Sequence, residues 1–190
     1  MEKDTRVTRA TMAQEETSLL ATNGKVPSPA VPDPANLYCS ELIELLFFAY
    51  RDFVSDPDRS LTEFGFGRAH HRVLHFVHLH PGLTIAELLD ILRITKQSLN
   101  RVLKELIHKG FIDSKTGTND RRQRLLYPTA KGVALSERLS ELQIQRITRA
   151  FDGFPEGSSE IVRRFLLAMI DQDDQDHVAT LVYGPAKVGK

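Results

Sequence analysis

The sequence predicts a mainly α-helical chain of the α+β class, in which one β-hairpin follows directly on two helices joined by a tight turn. Three observations carry this expectation. Thr84 and Thr95 each stand where a helix N-cap is needed, and both precede apolar-periodic runs. Leu99, Val102, Leu103, Leu106 and Ile107 recur at i, i+3, i+4, i+7 and i+8, which places them on one helix face. Past Gly110 the helical period stops, and two short runs rich in β-formers flank a polar turn.

Taken in order, residues 1–34 read as a disordered tail, with Pro27, Pro29, Pro32 and Pro34 among many Ser and Thr and no sustained periodicity. Asn36 to Val54 reads as a helix with Leu42, Leu45, Leu46, Ala49 and Phe53 on one stripe. It is also apolar at Phe47, Phe48 and Tyr50, so it is buried on more than one side, centrally or in a subunit interface. Asp56-Pro57-Asp58 is expected to end it. A second helix runs from about Gly67 to His80 and stops at Pro81-Gly82. Thr84 to Glu87 form a capping box, with Leu83 and Leu88 as a staple, opening a short helix to about Asp90. Ile91-Leu92-Arg93 is the turn, and Thr95 then caps the leucine-striped helix, which Gly110 ends as a C′ residue.

Phe111 to Lys115 reads as a strand, Thr116 to Arg122 as a turn and Arg124 to Pro128 as the return strand. Thr129 caps a long helix to about Phe151. After a break at Asp152 to Pro155, the last helix, Ser158 to about Ile170, carries Ile161, Phe165, Met169 and Val162, Leu166, Ile170 as adjacent stripes. Residues 171–190 are expected to be a flexible terminus. The whole is a winged helix-turn-helix over 35–170, its lobe at about 66–128 and further helices at about 36–55 and 129–170.

Composition narrows the function. With 190 residues and 41% apolar content the chain has enough for one core. Cys39 is the only cysteine, which excludes an intramolecular disulfide. No apolar run reaches the roughly 20 residues of a membrane span, and Met1-Glu2-Lys3-Asp4 does not open a signal peptide, so a cytoplasmic protein without membrane contact is expected. Net charge is zero, which alone argues against a nucleic-acid partner. Its distribution argues the other way: Arg93 to Lys131 holds ten Lys or Arg against three Asp or Glu. No Gly-rich phosphate loop, metalloprotease helix motif or nucleophile elbow occurs, so neither an enzyme nor a cofactor is expected.

In a helix-turn-helix the second helix is the reader. Opposite its leucine stripe it carries Lys96, Gln97, Asn100, Arg101 and Lys104, with Thr95 and Ser98 at the N-terminal end. Gln and Asn suit adenine, Arg and Lys suit guanine, and the free N–H groups of the helix start favour a phosphate. The hairpin tip holds Asp120, Arg121, Arg122 and Arg124. Clustered arginines on a projecting turn repel one another unless an anion approaches, and such a wing can deliver Arg to a minor groove. Asp120 is expected to pair with Arg122 and hold it extended.

The stretch from Ala86 to Gly132 resembles the MarR family of transcriptional regulators, and more weakly so does 36–170. The family's wing signature, Asp-x-Arg followed by Leu-Thr-x-x-Gly, is matched by Asp120, Arg122, Thr129 and Gly132; Pro128 replaces the Leu. The runs Gly67 to His75 and Asp120 to Thr129 are also similar to an alphaproteobacterial, PetP-type branch of that family. The resemblance implies a homodimer joined through the first and last helices, double-stranded DNA read as a pseudo-palindrome, and repression relieved by a small molecule.

The effector pocket so implied would be lined by Phe47, Phe48, Arg51, His70, His71 and Leu74, with Arg51 either holding an anionic aromatic ligand or making a structural ion pair. Cys39, near a helix start, is either a reactive thiolate or a structural residue. His71, His75 and His78 share a helix face, compatible with a metal; with no Cys, Asp or Glu in the same segment, though Asp56 and Glu63 lie upstream, packing at a lobe junction is the other explanation.

Overall fold

A computed structural model describes residues 34–117 and 120–184. Of the tail expected over 1–34, residues 1–33 lie outside the described residues, as do 118–119 of the hairpin tip and 185–190; Pro34 opens the first helix. The chain divides into two units, Met1–Leu46 and Phe47–Lys190. Of the first, the described part is the opening turns of helix α1 (Pro34–Leu61); the packing below belongs to the second.

After α1 and a 3-10 turn (Thr62–Phe64) come α2 (Arg68–Leu79), β1 (Leu83–Thr84), α3 (Ile85–Leu92), α4 (Lys96–His108), β2 (Ile112–Thr116), β3 (Arg124–Pro128), α5 (Ala130–Phe151), α6 (Ser158–Ala168) and α7 (Gln172–Tyr183). The fold is mainly helical with a small antiparallel sheet, as the sequence predicts. The sheet has the order β1-β3-β2, with Ser114 and Leu83 both opposite Leu126. The sequence missed β1, which at two residues is too short to show alternation.

The core lies between α2, α3, α4, the sheet and α5. Val73, Leu74, Val77, Leu88, Leu99, Leu106, Phe111 and Leu126 are all at most 1% exposed. Burial of each such side chain contributes about 1.5–3 kcal/mol. Phe64, Phe66 and Phe111 pack edge-on at 5.1 and 5.3 Å between centroids, sealing the end of the core where α1 turns into α2.

Three threonines start helices as expected. Thr84 Oγ1 accepts from Glu87 N–H at 3.2 Å, and the Glu87 carboxylate accepts from Thr84 N–H at 2.7 Å. Thr95 Oγ1 accepts from Ser98 N–H at 3.2 Å. Thr129 Oγ1 accepts from Gly132 N–H at 3.1 Å and donates to the Gly110 carbonyl at 2.7 Å. Thr129 therefore fastens the start of α5 to the end of α4. Its backbone N–H also donates to the Phe111 carbonyl at 3.0 Å, and a Cβ on Gly132 would collide with that same carbonyl oxygen. The Thr-x-x-Gly spacing is thus one joint: a cap, and a close approach of two backbones that only glycine permits. Pro128 closes β3 opposite Ile112 and lies beyond the two residues that β1 pairs, so it leaves the β1 ladder intact.

Three expectations are corrected. Asp56-Pro57-Asp58 does not end the first helix, which runs to Leu61 with Pro57 inside it. A proline in a helix interior costs about 3 kcal/mol. Here Pro57 is buried and Leu61, at the helix end, is fully buried. Both aspartates hold arginines: Arg146 on Asp56 at 2.7 Å and Arg68 on Asp58 at 2.8 Å. Packing outweighs propensity. The C-terminal stretch read without structure contains α7, whose first turn carries Asp173 and Asp174, charges that suit a helix N-terminus. Asp174 also pairs with Arg93 at 2.6 Å. Finally, Ile107, placed by its spacing on the buried stripe, is 40% exposed.

Replacing Gly132 by Ala forces the Phe111 backbone away and is expected to destabilise the protein by about 2–4 kcal/mol, read as a lower urea midpoint. A midpoint unchanged from wild type would contradict the proposed joint.

Candidate nucleic-acid interface

α3 and α4 meet at Arg93, the one non-glycine residue with positive φ (51°) among the described residues. α3 extends to Leu92, so the turn is shorter than the sequence suggests. Arg93 N–H closes on the Leu89 carbonyl at 3.0 Å, and Arg72 reaches across from α2 to the Leu92 carbonyl at 3.0 Å. The end of α3 is therefore satisfied from inside the lobe, and the start of α4 is left to Thr95.

α4 buries Leu99, Val102, Leu103 and Leu106 at 0–4% exposure. That sets its rotation. Thr95, Lys96, Gln97, Ser98, Asn100, Arg101 and Lys104 are all exposed. Glu105, the acidic residue on this helix, is turned toward α2, where its carboxylate meets His70 Nε2 at 3.0 Å. His70 Nδ1 accepts from the Gly67 N–H at 3.2 Å, and its ring stacks on Phe66 at 4.6 Å. The one carboxylate of the reader helix is thus occupied.

At the wing, Asp120, Arg121, Arg122 and Arg124 are exposed. The expected Asp120–Arg122 side-chain pair does not form. Asp120 Oδ1 instead accepts from the Arg122 backbone N–H at 2.9 Å, while Gln123 N–H closes on the Asp120 carbonyl at 3.0 Å. Asp120 shapes the turn through the backbone, because an Asx turn reaches the N–H two residues on more readily than a long guanidinium folds back. Arg124 is held against Thr116 Oγ1 at 3.2 Å across the hairpin. Among the described residues, Lys96, Arg101, Lys104, Arg121 and Arg122 have no carboxylate partner, whereas Arg68, Arg93, Arg138 and Arg146 each have one.

The six residues expected to line an effector pocket differ in their surroundings. Phe47, Phe48 and Arg51 are exposed on α1, where Arg51 pairs with Asp52 at 2.8 Å and lies 4.9 Å over the Phe48 ring. Leu74 is core, and His70 is engaged as described. His71 borders a cavity of about 220 Å³, with Tyr50, Phe53, Arg68, His75 and Gln143. Tyr50, Phe53 and Val54 border that cavity from α1, whereas Phe47, two turns before Val54 on the same side of the helix, is 70% exposed. His71 and His75 pack edge to face at 6.3 Å, and no three His, Cys, Asp or Glu side chains gather as a ligand set among the described residues. The metal alternative therefore has no geometric support. Cys39 is exposed. Sequence reasoning also missed a groove of about 740 Å³ beside α4, bordered by Ile85, Leu103, Ile107 and Leu126.

A helix pair with an exposed cationic reader face, followed by an arginine-tipped hairpin on the same core, defines a winged helix-turn-helix DNA-binding protein. The sequence profile of the MarR family matches residues 64–123. The HTH-type transcriptional regulator PetP of Rhodobacter capsulatus is 45% identical over 139 residues, 73% of this chain and 84% of that protein. A MarR family regulator from Listeria monocytogenes, solved with a 26mer DNA, superposes with a TM-score of 0.61 at 21% identity, covering 77% of this chain and 97% of that one. FabT of Streptococcus pneumoniae, solved in complex with DNA, gives 0.58 at 18% identity over 67% and 91% of the two chains. The chain belongs to the MarR family of DNA-binding transcriptional regulators, which are not enzymes. No helix among the described residues is long and apolar enough to cross a membrane.

Burial pushes the His71 imidazole down to about 4, with the neighbouring His75 adding to the shift and Asp58 opposing it. The unfolded chain therefore takes up a proton on His71 at a pH where the folded chain does not. Its contribution is complete above about pH 6.5 and is lost as pH falls toward 4, about 2 kcal/mol of it by about pH 5. Urea midpoints measured down this range should fall less steeply in His71→Leu than in wild type; parallel curves would contradict the assignment.

Proposed function

We propose that the protein is a homodimeric repressor that binds a pseudo-palindromic operator through α4 and the wing and leaves it on a small-molecule or redox signal. The observation that carries the DNA reading is the segregation of charge: among the described residues the reader face and wing tip keep cations without carboxylate partners, in a chain of zero net charge. Lys96, Asn100, Arg101 and Lys104, with Gln97 and Ser98 near the helix start, are assigned to base edges and flanking phosphates, and Thr95 to the cap that presents N–H groups to a phosphate. Arg121, Arg122 and Arg124 are assigned to the groove beside the wing, with Asp120 shaping the turn. Two structural relatives are solved bound to DNA.

Homodimerisation is supported by unpartnered apolar surface. In the opening turns of α1, Ile43 and Leu45 are 56% and 62% exposed, and in α6 and α7 Ile161 and Val182 are 70% and 63% exposed. Such surface marks an interface. In this reading 66–128 is the DNA-binding lobe, 36–55 and 129–170 are the dimerisation helices, and the protein works beside DNA in the cytoplasm. The signal is assigned to the cavity beside His71 or to Cys39, whose exposure leaves it open to oxidants.

Two substitutions test the interface. Arg122→Ala should weaken binding to the preferred duplex and reduce the salt slope by about 1; unchanged affinity and slope would remove the wing from the interface. Gln97→Ala should cost about 1–3 kcal/mol on the preferred site and less on random duplex. Equal losses on both would show that Gln97 does not read bases.

A further inference from the structure

Arg93, at the joint between α3 and α4, carries a cation that the reader face and wing do not include. Its backbone is left-handed, with φ at 51°, a conformation in which a side chain crowds its own carbonyl. Glycine is the residue at ease there, and Gly110, which stops α4, has φ at 72°. An arginine held in a strained conformation points to a role for its side chain. The root of that side chain is fixed: Arg93 N–H closes on the Leu89 carbonyl at 3.0 Å, and Thr95, two residues on, caps α4. The guanidinium therefore starts beside the free N–H groups of the reader helix, where a phosphate is favoured. It is 65% exposed, and Asp174 of α7 lies on it at 2.6 Å. Three residues further along α7, His177 Nε2 lies 3.9 Å from Asp90, three residues before Arg93. One face of α7 thus runs antiparallel to the end of α3 and its turn. Gln175 Nε2 donates to the Ile170 carbonyl at 2.9 Å and fastens the first turn of α7 to the end of α6. Asp171, Asp173 and Asp176 are exposed around Asp174, so a strongly anionic helix start is held against the helix-turn-helix.

We propose that Arg93 is a further phosphate contact of the helix-turn-helix, and that Asp174 competes with DNA for it. The proposal rests on the reading of α4 as the DNA reader. The Asp174 carboxylate takes the place on the guanidinium that a phosphate oxygen takes when α4 enters a groove. An ion pair this open to solvent is weak and screened by salt, so it cannot keep Arg93 from a duplex. A phosphate brings the field of its neighbours and releases counterions, and Arg93 passes from carboxylate to DNA. The exchange leaves Asp174 unpaired beside a polyanion, and that repulsion is subtracted from the affinity. α7 therefore sets how tightly the lobe binds without touching a base. If the pair only fastened α7 to the lobe, losing Asp174 would loosen the helix and bring no gain in DNA binding.

The test is a double-mutant cycle on the full chain, titrated with the duplex it selects at several salt concentrations. Arg93→Gly relieves the left-handed backbone and removes the cation. It should weaken binding by about three- to tenfold and lower the salt slope by about 1, with a urea midpoint no lower than that of wild type. Arg93→Asn, also tolerated at positive φ, repeats the measurement if the glycine variant fails to fold. Asp174→Asn should tighten binding by about two- to fivefold. Placed on Arg93→Gly, it should change affinity by less than about twofold, because the two residues act through one contact. Unchanged affinity and slope in both Arg93 variants would overturn the contact. Weaker binding by Asp174→Asn, or a gain that persists without Arg93, would overturn the competition. Arg101→Ala on the reader face is titrated in parallel. Weakened binding there with no effect at Arg93 overturns this inference alone, whereas no effect at either overturns the reading on which it rests.

Discussion

A helix that buries four adjacent apolar side chains has no freedom to rotate. Leu99 and Leu106 of α4 are fully buried, and Val102 and Leu103 nearly so. Turning the helix by even one residue would lift at least one of them into water, at a cost of about 1.5–3 kcal/mol. No exposed polar contact on the other face competes with that, since a surface ion pair contributes at most about 1 kcal/mol. The leucine stripe therefore decides where Lys96, Gln97, Asn100, Arg101 and Lys104 point, and the polar residues are free to be chosen for what they meet rather than for stability. The Thr129 cap and the close approach at Gly132 then hang the wing and α5 on the end of the same helix, so the reader face and the arginine tip share one rigid support.

Electrostatics divides the molecule in the same way. Asp56, Asp58 and Glu63 at the end of α1 and just beyond hold Arg146, Arg68 and Arg138. Arg146 keeps the Asp56 carboxyl below its usual range. Those arginines bind helices to one another. The cations of α4 and the wing lack such partners among the described residues and remain available to an anion.

What was legible in the sequence was local. A threonine cap needs only the next three residues, so Thr84, Thr95 and Thr129 could be read directly. The leucine stripe, the Gly110 stop and the change of period into the hairpin are similarly short-range. What was not legible depends on partners distant in the chain. Asp56-Pro57-Asp58 reads as a stop until Arg146 and Arg68 are seen on its aspartates. The helix Gln172–Tyr183 is too polar to announce itself, and its tie to Arg93 joins residues 81 positions apart. The cavity lining was not legible from α1, since a helix apolar nearly all round does not reveal which of its residues, here Tyr50, Phe53 and Val54, border it. Ile107 followed the period of the stripe, but the core ends before it. At the wing the arginines were found and the role of Asp120 was not, because its carboxylate serves the backbone.

The central claim is that two copies of one rigid reader face and wing meet DNA together. Hydroxyl-radical footprinting on a fragment selected by the protein tests it most directly. The account predicts protection related by a two-fold axis, with half-site centres about 10 base pairs, or a multiple of one helical turn, apart. A single protected patch without symmetry, or protection spread evenly along the fragment, would contradict it.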